Sequence, residues 1–246
     1  MVLGKDGSKL SKRHGATSVI EFRRRGYLPE AIMNYVTLLG WSYDDTREFF
    51  DRADLERLFT VEKINKAPAV FDYKKLDWFN GQYIRRCDDD RLISLLIPYL
   101  QSEGWMSGHG GSGETSAERE RLRGLLPLIK ERLKTLSDVV PLLRFVYEDV
   151  TEWSVEDLVP KKTTVTETLE LLDAAVRVLD EYGVPDDDES AEHAIDEAFR
   201  AQAERMETKL GNLMMPLRVA ITGSRVSPPL LGSIRVLGEE TARQRI

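Results

Sequence analysis

The stretch that decides the fold reads Gly4-Lys5-Asp6-Gly7-Ser8-Lys9-Leu10-Ser11-Lys12-Arg13-His14-Gly15. Its twelve residues hold three lysines, one arginine, three glycines and two serines, with a single acid. Glycine lets a backbone approach a ligand closely, and hydroxyl and ammonium groups supply hydrogen-bond donors. This composition suits a polyphosphate ligand, although the spacing is not the Gly-x-x-x-x-Gly-Lys-[Ser/Thr] of a P-loop. A solvated basic loop is the alternative interpretation.

The order of residues in this loop is more specific than its composition. Lys9-Leu10-Ser11-Lys12-Arg13 resembles the mobile KMSKS loop of class I aminoacyl-tRNA synthetases, in the form typical of glutamyl-tRNA synthetases. The chain resembles that family from end to end. The other matching motifs are His14-Gly15-Ala16-Thr17-Ser18-Val19, Gly26-Tyr27-Leu28-Pro29-Glu30-Ala31, Leu38-Leu39-Gly40-Trp41-Ser42, Phe71-Asp72 with Lys75-Leu76-Asp77-Trp78, Asn80-Gly81-Gln82-Tyr83-Ile84-Arg85, Pro216-Leu217-Arg218-Val219-Ala220, Thr222-Gly223-Ser224 and Ser227-Pro228-Pro229-Leu230.

One feature departs from the family pattern. In the family the loop lies about midway along the enzyme, after a nucleotide-binding domain with a His-Ile-Gly-His-type motif. Here the loop starts at Gly4, and the sequence contains no such motif. We therefore expect this chain to resemble the carboxyl-terminal half of the enzyme, with the missing amino-terminal catalytic domain as a partner.

Apolar residues recur at helical spacing along most of the chain, which predicts a mainly α-helical protein. The resemblance implies four parts. A remnant of the catalytic domain with the KLSKR loop occupies residues 1–16, and a stem-contact domain occupies residues 17–86. Two helical anticodon-binding subdomains follow, at residues 87–160 and 161–246.

Local signals mark the ends of several predicted helices. Glycines end helices and serine, threonine or aspartate begins them, while the glycine- and serine-rich stretch 107–116 predicts a loop. The predicted starts are Ser18 with Glu21, Pro29, Asp72, Thr164 with Glu167, and Ser227 with Pro228; the predicted ends include Gly26, Gly183 and Gly223.

Composition restricts the class of protein. At 246 residues, 41% hydrophobic and 31% charged, the chain has the balance of a globular protein. The single cysteine, Cys87, excludes an intramolecular disulfide and suits the cytoplasm. No apolar run reaches the roughly 18 residues of a membrane span, and three scattered histidines predict no metal site. We expect a cytoplasmic monomer without a membrane partner.

Charge is distributed unevenly, although the formal net charge is −7. Residues 1–25 carry seven Lys/Arg against two acids, residues 119–144 seven against three, and residues 209–246 six against two. Residues 165–200 carry twelve acids against two arginines. Three basic regions of this kind suit contact with an RNA backbone. Solvated helix faces are the alternative.

The resemblance implies the chemistry of the loop. The parent enzyme joins glutamate to ATP with Mg²⁺, releases pyrophosphate and transfers the glutamyl group to tRNA for glutamate. Lys12 would stabilise the charge on the phosphates, Lys9 and Arg13 would assist, and Ser11 would help shape the loop. ATP contacts are thus assigned to Lys12 and Lys9. We expect this chain alone to hold no cofactor tightly.

The resemblance also implies where the anticodon is read. Arg218, Ser227, Pro228 and Leu230 match the family's terminal motif, and Arg132 in the middle basic region is assigned to the third anticodon base. Pro229 stands where the family varies.

Two other functions remain open at this point. A standalone tRNA-binding module without a ligase role would have little use for an intact KLSKR loop. An unrelated helical scaffold would leave the paired loop and terminal motifs as coincidence.

A first prediction concerns activity. The purified chain alone should show no ATP–pyrophosphate exchange with glutamate, because the nucleotide-binding motif is missing. The assay uses radiolabelled pyrophosphate and protein freed of the host enzyme. Exchange above the background of a mock purification would contradict this domain interpretation.

Overall fold

Helices build nearly all of the regular structure, so the predicted mainly α class is confirmed. The computed structural model describes residues 1–11, 13, 15, 18–108, 115–185 and 188–246. The chain divides into two compact units, Met1–Val139 and Val140–Ile246. Lys12 and residues 109–114 of the predicted glycine- and serine-rich loop lie outside the described residues.

The first unit contains six α-helices and a short sheet among its described residues. The helices are α1 (Val19–Arg24), α2 (Pro29–Leu38), α3 (Arg52–Leu58), α4 (Tyr73–Arg86), α5 (Asp89–Ser102) and α6 (Ser116–Ile129). Single 3-10 turns lie at Val61–Lys63, Lys130–Arg132 and Leu136–Asp138.

The predicted helix starts in this unit follow from side-chain caps. The Ser18 hydroxyl accepts a hydrogen bond from the Glu21 amide at 3.2 Å, and the Asp72 carboxylate accepts one from the Lys74 amide at 2.9 Å. Pro29 occupies the first turn of α2, where its missing N–H costs nothing. These three predictions are confirmed.

Two strands form a small parallel sheet, β1 (Val2–Leu3) and β2 (Ala69–Val70). Val2 pairs with Ala69 and Leu3 with Val70. A brief strand is expected at residues 70–71 from the sequence, one position later than observed. The partner strand β1, directly before the loop, is not predicted from the sequence.

Aromatic side chains fill the core between the first helices. Phe22 stacks on Phe71, and Tyr35 meets Phe71 edge-on with ring centroids 5.1 Å apart. The buried members of this cluster are Phe22, Tyr27, Tyr35, Phe71, Leu76 and Phe79. The aromatic residues at these positions thus pack mainly against one another.

A fully buried carboxamide, that of Asn80 in α4, connects three segments of the first unit. Its Oδ1 accepts a hydrogen bond from the Leu28 amide at 2.7 Å. Its Nδ2 donates to the Lys134 carbonyl at 2.6 Å and to the Gly26 carbonyl at 3.3 Å. One side chain therefore fixes the α1–α2 turn and the segment after α6 to α4.

Gly26 lies where only glycine fits. Its φ is +84°, and a Cβ there would lie 2.6 Å from the backbone nitrogens of Leu136 and Ser137. The close approach lets the Leu136 amide donate to the Gly26 carbonyl at 2.9 Å. The predicted helix end at Gly26 is thus also a packing contact with residues more than 100 positions away.

All the regular structure among the described residues of the second unit is helical. Its helices are α7 (Val139–Tyr147), which begins at the boundary, α8 (Val155–Leu158), α9 (Val165–Tyr182), α10 (Glu189–Arg205), α11 (Leu210–Thr222), α12 (Leu230–Leu237) and α13 (Glu239–Gln244). Helix α9 packs against both α10 and α11. Leu171, Phe199, Leu217 and Ile234 are among the buried side chains between them.

The predicted cap of α9 is a complete capping box. The Thr164 hydroxyl accepts from the Glu167 amide at 3.2 Å, and the Glu167 carboxylate accepts from the Thr164 amide at 2.6 Å. The helix ends at Gly183, whose φ is +70°. Both predicted ends of α9 are confirmed. Within the described ranges, no helix has the length and apolar character that a membrane crossing requires.

A second prediction concerns Asn80. Asn80→Ala leaves the Leu28 amide and two carbonyls buried without their partner, so the free energy of unfolding should fall by about 3 kcal/mol. Urea denaturation followed by tryptophan fluorescence measures this, since three of the four tryptophans lie in the first unit. Asn65→Ala, at an exposed asparagine of the same unit that accepts one hydrogen bond from the Ala67 amide, is the control and should lower it by no more than about 1 kcal/mol. Equal losses in the two variants would contradict the role of Asn80.

A third prediction concerns pH and Glu118 at the start of α6. Its carboxylate accepts hydrogen bonds from the amides of Thr115 (2.7 Å) and Ser107 (2.9 Å), which lowers its pKa to about 2. Because the folded pKa is depressed, the stabilisation is complete above the ordinary carboxyl pKa and is lost as pH falls towards the folded value. The gap in urea midpoint between wild type and Glu118→Gln should be widest near neutral pH and should close in acid. Glu103→Gln, at an exposed glutamate after α5, is the control. A gap that stays constant across this range would disprove the linkage.

Candidate nucleic-acid interface

The loop begins as a tight turn that grows out of strand β1. The Gly4 amide donates to the Ser8 carbonyl at 2.8 Å, and Gly7 turns the chain with φ +76°. Lys9 then forms an antiparallel bridge with Leu3. The first half of the loop is therefore held by backbone hydrogen bonds.

The single acid of the loop binds its neighbours. Asp6 Oδ1 accepts hydrogen bonds from the Ser8 amide at 3.0 Å and the Ser8 hydroxyl at 2.8 Å. Arg13 Nη2 donates to Ser8 Oγ at 2.7 Å and lies 3.6 Å from Asp6 Oδ2. The Asp6 carboxylate therefore pairs with Arg13 in the way that an anionic oxygen of a ligand pairs with a guanidinium.

An ion pair fixes the base of the loop to helix α4. Lys5 Nζ lies 3.1 Å from Asp72 Oδ1, and Asp72 is the amino-terminal cap of that helix. The Lys5 ammonium, and secondly the Lys74 amide, hold the pKa of Asp72 below its ordinary value. Sequence reasoning finds the cap but misses the ion pair, because the partners lie 67 positions apart.

The predicted phosphate-binding residues that the structure describes face solvent. Lys9, Ser11 and Arg13 are all exposed and offer ammonium, hydroxyl and guanidinium donors. These are the donor types that phosphate oxygens accept. Lys12, the fourth predicted residue, lies outside the described part of the chain.

The second candidate site is the corner that follows α11, residues 223–229. Gly223 ends the helix with φ +67°, and its amide donates to the Val219 carbonyl at 2.8 Å. The predicted glycine cap is thus confirmed. The Thr222 hydroxyl donates to the Arg218 carbonyl at 2.8 Å, which strengthens the same last turn.

Arg218 and the corner are joined by short hydrogen bonds. Arg218 Nη1 donates to the Ser227 hydroxyl and to the Pro228 carbonyl, each at 2.6 Å. The corner is therefore folded around one guanidinium nitrogen.

The predicted helix start at Ser227 is wrong. Helix α12 begins at Leu230, and Pro229 stands at its amino-terminal cap position. The Ser227 side chain is 2% exposed and accepts from Arg218 instead. A charged donor from another helix outcompetes the local backbone amides for this hydroxyl.

The structure brings together three of the residues matched to the anticodon motif. Arg218, Ser227 and Pro228 are in direct contact, whereas Leu230 is buried in the helical core. Among the corner residues, Val226 is 69% exposed. Arg132 is exposed in the 3-10 turn Lys130–Arg132, which belongs to the first unit.

Three residues that the sequence analysis does not single out tie the corner and the end of α11 to neighbouring segments through hydrogen bonds to backbone carbonyls. Arg225 Nε donates to the Asp157 carbonyl at 3.0 Å and its Nη2 to the Val159 carbonyl at 3.2 Å. Trp153 and Arg245 donate to carbonyls at the end of α11. No local sequence signal marks them, because Arg225 and Arg245 are two of six Lys/Arg in the basic region 209–246 and Trp153 has no recognisable motif around it.

Among the residues that the structure describes, no group of three or more His, Cys, Asp and Glu side chains is placed to hold a metal ion.

Two family patterns match the chain. Residues 91–246 match the family described as anticodon binding domain. Residues 1–78 match the family described as tRNA synthetases class I (E and Q), catalytic domain. The first match covers more than half of the chain.

Curated relatives match over the whole chain. A glutamate–tRNA ligase from Borreliella burgdorferi is 46% identical over 246 residues, which is 100% of this chain and 48% of that protein. A glutamate–tRNA ligase from Treponema denticola is 46% identical over 262 residues, which is 100% of this chain and 51% of that protein. The chain spans about half the length of these relatives.

A solved structure shares the fold. The crystal structure of a glutamate tRNA ligase from Elizabethkingia meningosepticum, in complex with its amino acid, superimposes with a TM-score of 0.66 at 24% identity. The match covers 100% of this chain and 49% of that one. With the anticodon binding domain pattern across most of its length, the chain belongs to that family, and over its whole length it is similar to glutamate–tRNA ligases.

Proposed function

We propose that this chain is the tRNA-binding portion of a glutamate–tRNA ligase, contacting the stem and the anticodon of tRNA for glutamate. The complete enzyme would activate glutamate with ATP and transfer it to that tRNA. Relatives with this name match the chain over its whole length, which supports the proposal.

The observation that carries the anticodon assignment is the contact of Arg218 with Ser227 and Pro228. It lies inside the region that matches the anticodon-binding family. Splayed bases of single-stranded RNA are read by hydrogen bonds and by stacking on guanidinium groups. A guanidinium held by two short bonds has a fixed plane, which favours such recognition.

The remaining assignments extend this proposal. Leu230 supports the corner from the core, and Arg132 contacts the third anticodon base from the first unit. The four-part division at residues 1–16, 17–86, 87–160 and 161–246 describes the functional regions. The expected monomer and cytoplasmic location belong to the same proposal, and the single buried thiol of Cys87 suits that compartment.

The loop has a proposed role in the complete enzyme. The family uses ATP, and the exposed donors of Lys9, Ser11 and Arg13 fit phosphate oxygens. Together with Lys12 they would stabilise charge as pyrophosphate leaves, with Mg²⁺ held elsewhere in the enzyme. By analogy with an oxyanion-hole donor, loss of Lys12 would cost about 3 kcal/mol of transition-state stabilisation.

The fourth prediction tests the anticodon corner. The chain should bind tRNA for glutamate with an affinity that falls as salt rises, because neutralised phosphates release counterions. Arg218→Ala should reduce the difference in binding free energy between this tRNA and one with an altered anticodon by roughly 1–3 kcal/mol. The measurement is a pair of fluorescence-anisotropy titrations at fixed salt, after circular dichroism has shown that helicity is retained.

Arg200→Ala is the matched control, because Arg200 is exposed on α10 in the acidic segment of the same unit. Arg200→Ala should leave the difference in binding free energy between the two RNAs unchanged. Equal losses on both RNAs with Arg218→Ala would make Arg218 a backbone contact. No loss on either RNA would overturn the anticodon assignment for the corner.

A further inference from the structure

We propose that Trp153 and Arg245 are positioning residues for anticodon reading, acting through the end of α11 on Arg218 and the corner. This inference rests on the proposed function. It assigns a role in specificity to two side chains that the matched anticodon motif does not contain.

The last turn of α11 has its carbonyls bound one after another. The Val219 carbonyl accepts from the Gly223 amide at 2.8 Å, which is an ordinary helix end. The next carbonyl, of Ala220, accepts from Trp153 Nε1 at 2.9 Å. The one after that, of Ile221, accepts from Arg245 Nη1 at 3.0 Å. Carbonyls at a helix end otherwise have no partner within the helix, so these two side chains complete it.

Arg245 connects two helix ends. Its guanidinium is 9% exposed, and Nη1 also donates to the Phe145 carbonyl in the last turn of α7 at 3.0 Å. Nη2 lies 3.4 Å from the Glu148 carbonyl. A cation is favoured at the negative, carboxyl-terminal end of a helix. Here the Arg245 guanidinium lies at the carboxyl-terminal ends of both α7 and α11. The positions of Phe145 and Ile221 are therefore fixed relative to each other.

Trp153 approaches the corner from the segment before α8. Its ring is 39% exposed, yet its N–H points to the Ala220 carbonyl. Val150 of the same segment lies against Gly223, where an added Cβ would come within 3.3 Å. The Asp157 and Val159 carbonyls hold Arg225. Residues 150–159 thus contact the start and the middle of the corner.

The effect on recognition follows from how close these contacts are to Arg218. The Thr222 hydroxyl, at the end of α11, lies 2.8 Å from the Arg218 carbonyl and 3.1 Å from the Ser224 carbonyl and shares its single hydrogen between them, so it links the arginine to the corner. The two capped carbonyls belong to the residues immediately before Thr222. If this turn frays, the 2.6 Å bonds from Arg218 to Ser227 and Pro228 lose their geometry. Selectivity should then decrease while the phosphate contacts are kept.

The experiment compares substitutions that remove the donor group of each side chain. Trp153→Phe keeps an aromatic ring but removes the N–H, and Arg245→Met keeps a long chain but removes the guanidinium. Arg243→Met is the matched control, because Arg243 lies in the last turn of α13, which Arg245 caps, but pairs with Asp180 at the surface. The readout is the ratio of dissociation constants for tRNA with the altered anticodon and for tRNA for glutamate.

Trp153→Phe should lower this ratio about threefold to tenfold, as expected for one lost hydrogen bond. Arg245→Met, which removes the donors to both Ile221 and Phe145, should lower it by at least as much. Arg243→Met should leave the ratio unchanged. In an Arg218→Ala background, Trp153→Phe should cause no further loss of the ratio, because both residues act on the same contact. A merely structural role would lower the melting temperature of the variants without changing the ratio.

Failure of the inference differs from failure of the proposed function. A wild-type chain that does not discriminate between the two RNAs overturns the proposed function and this inference with it. Discrimination that Arg218→Ala removes but Trp153→Phe leaves intact overturns this inference alone. Since Arg245→Met removes a buried charge and could unfold the unit, the Trp153→Phe result decides the test.

Discussion

The first unit depends on the buried carboxamide of Asn80. A carboxamide has one acceptor and two donors close together, so it can replace three separate backbone partners at a point where segments cross. The Asn80 side chain forms hydrogen bonds with the backbone of Gly26, Leu28 and Lys134. Because these segments lie more than 50 positions from Asn80, the contact defines the tertiary arrangement and not a local element. The glycine at position 26 makes this crossing possible by letting the two backbones touch.

The second unit uses charged and aromatic donors for the same purpose. Arg245 and Trp153 complete the end of α11, Arg225 binds the segment before Pro160, and Arg218 holds the corner. All four side chains donate to backbone carbonyls. Burying a polar backbone group without a partner is costly, so the direction of each of these side chains is set by the carbonyl it must meet. A corner stabilised in this way is preorganised before any RNA arrives.

The sequence predicts what is local in this protein and misses what is distant. Ser18, Asp72, Thr164 and Gly223 cap helices as expected, because a cap depends only on the next three or four residues. The predicted start of α12 at Ser227 is wrong because the Ser227 hydroxyl accepts a hydrogen bond from Arg218, which lies in the preceding helix. The Lys5–Asp72 ion pair and the donors Trp153 and Arg245 have no local signal either. For the candidate sites, the motif locates Arg218, Ser227 and Pro228, which are in direct contact, whereas Leu230 packs in the helical core.

The bonds of Arg218 within the corner have a consequence for ionic strength. Mobile ions screen charges over about 8–10 Å, and they act weakly on partly buried bonds to neutral oxygens such as those of Ser227 and Pro228. Attraction between exposed basic side chains and phosphates is screened strongly. For the proposed RNA contact, salt would therefore control how much tRNA is bound, while the choice between anticodons would be nearly independent of it. The affinity and the selectivity of the proposed contact would in this sense be set by different side chains.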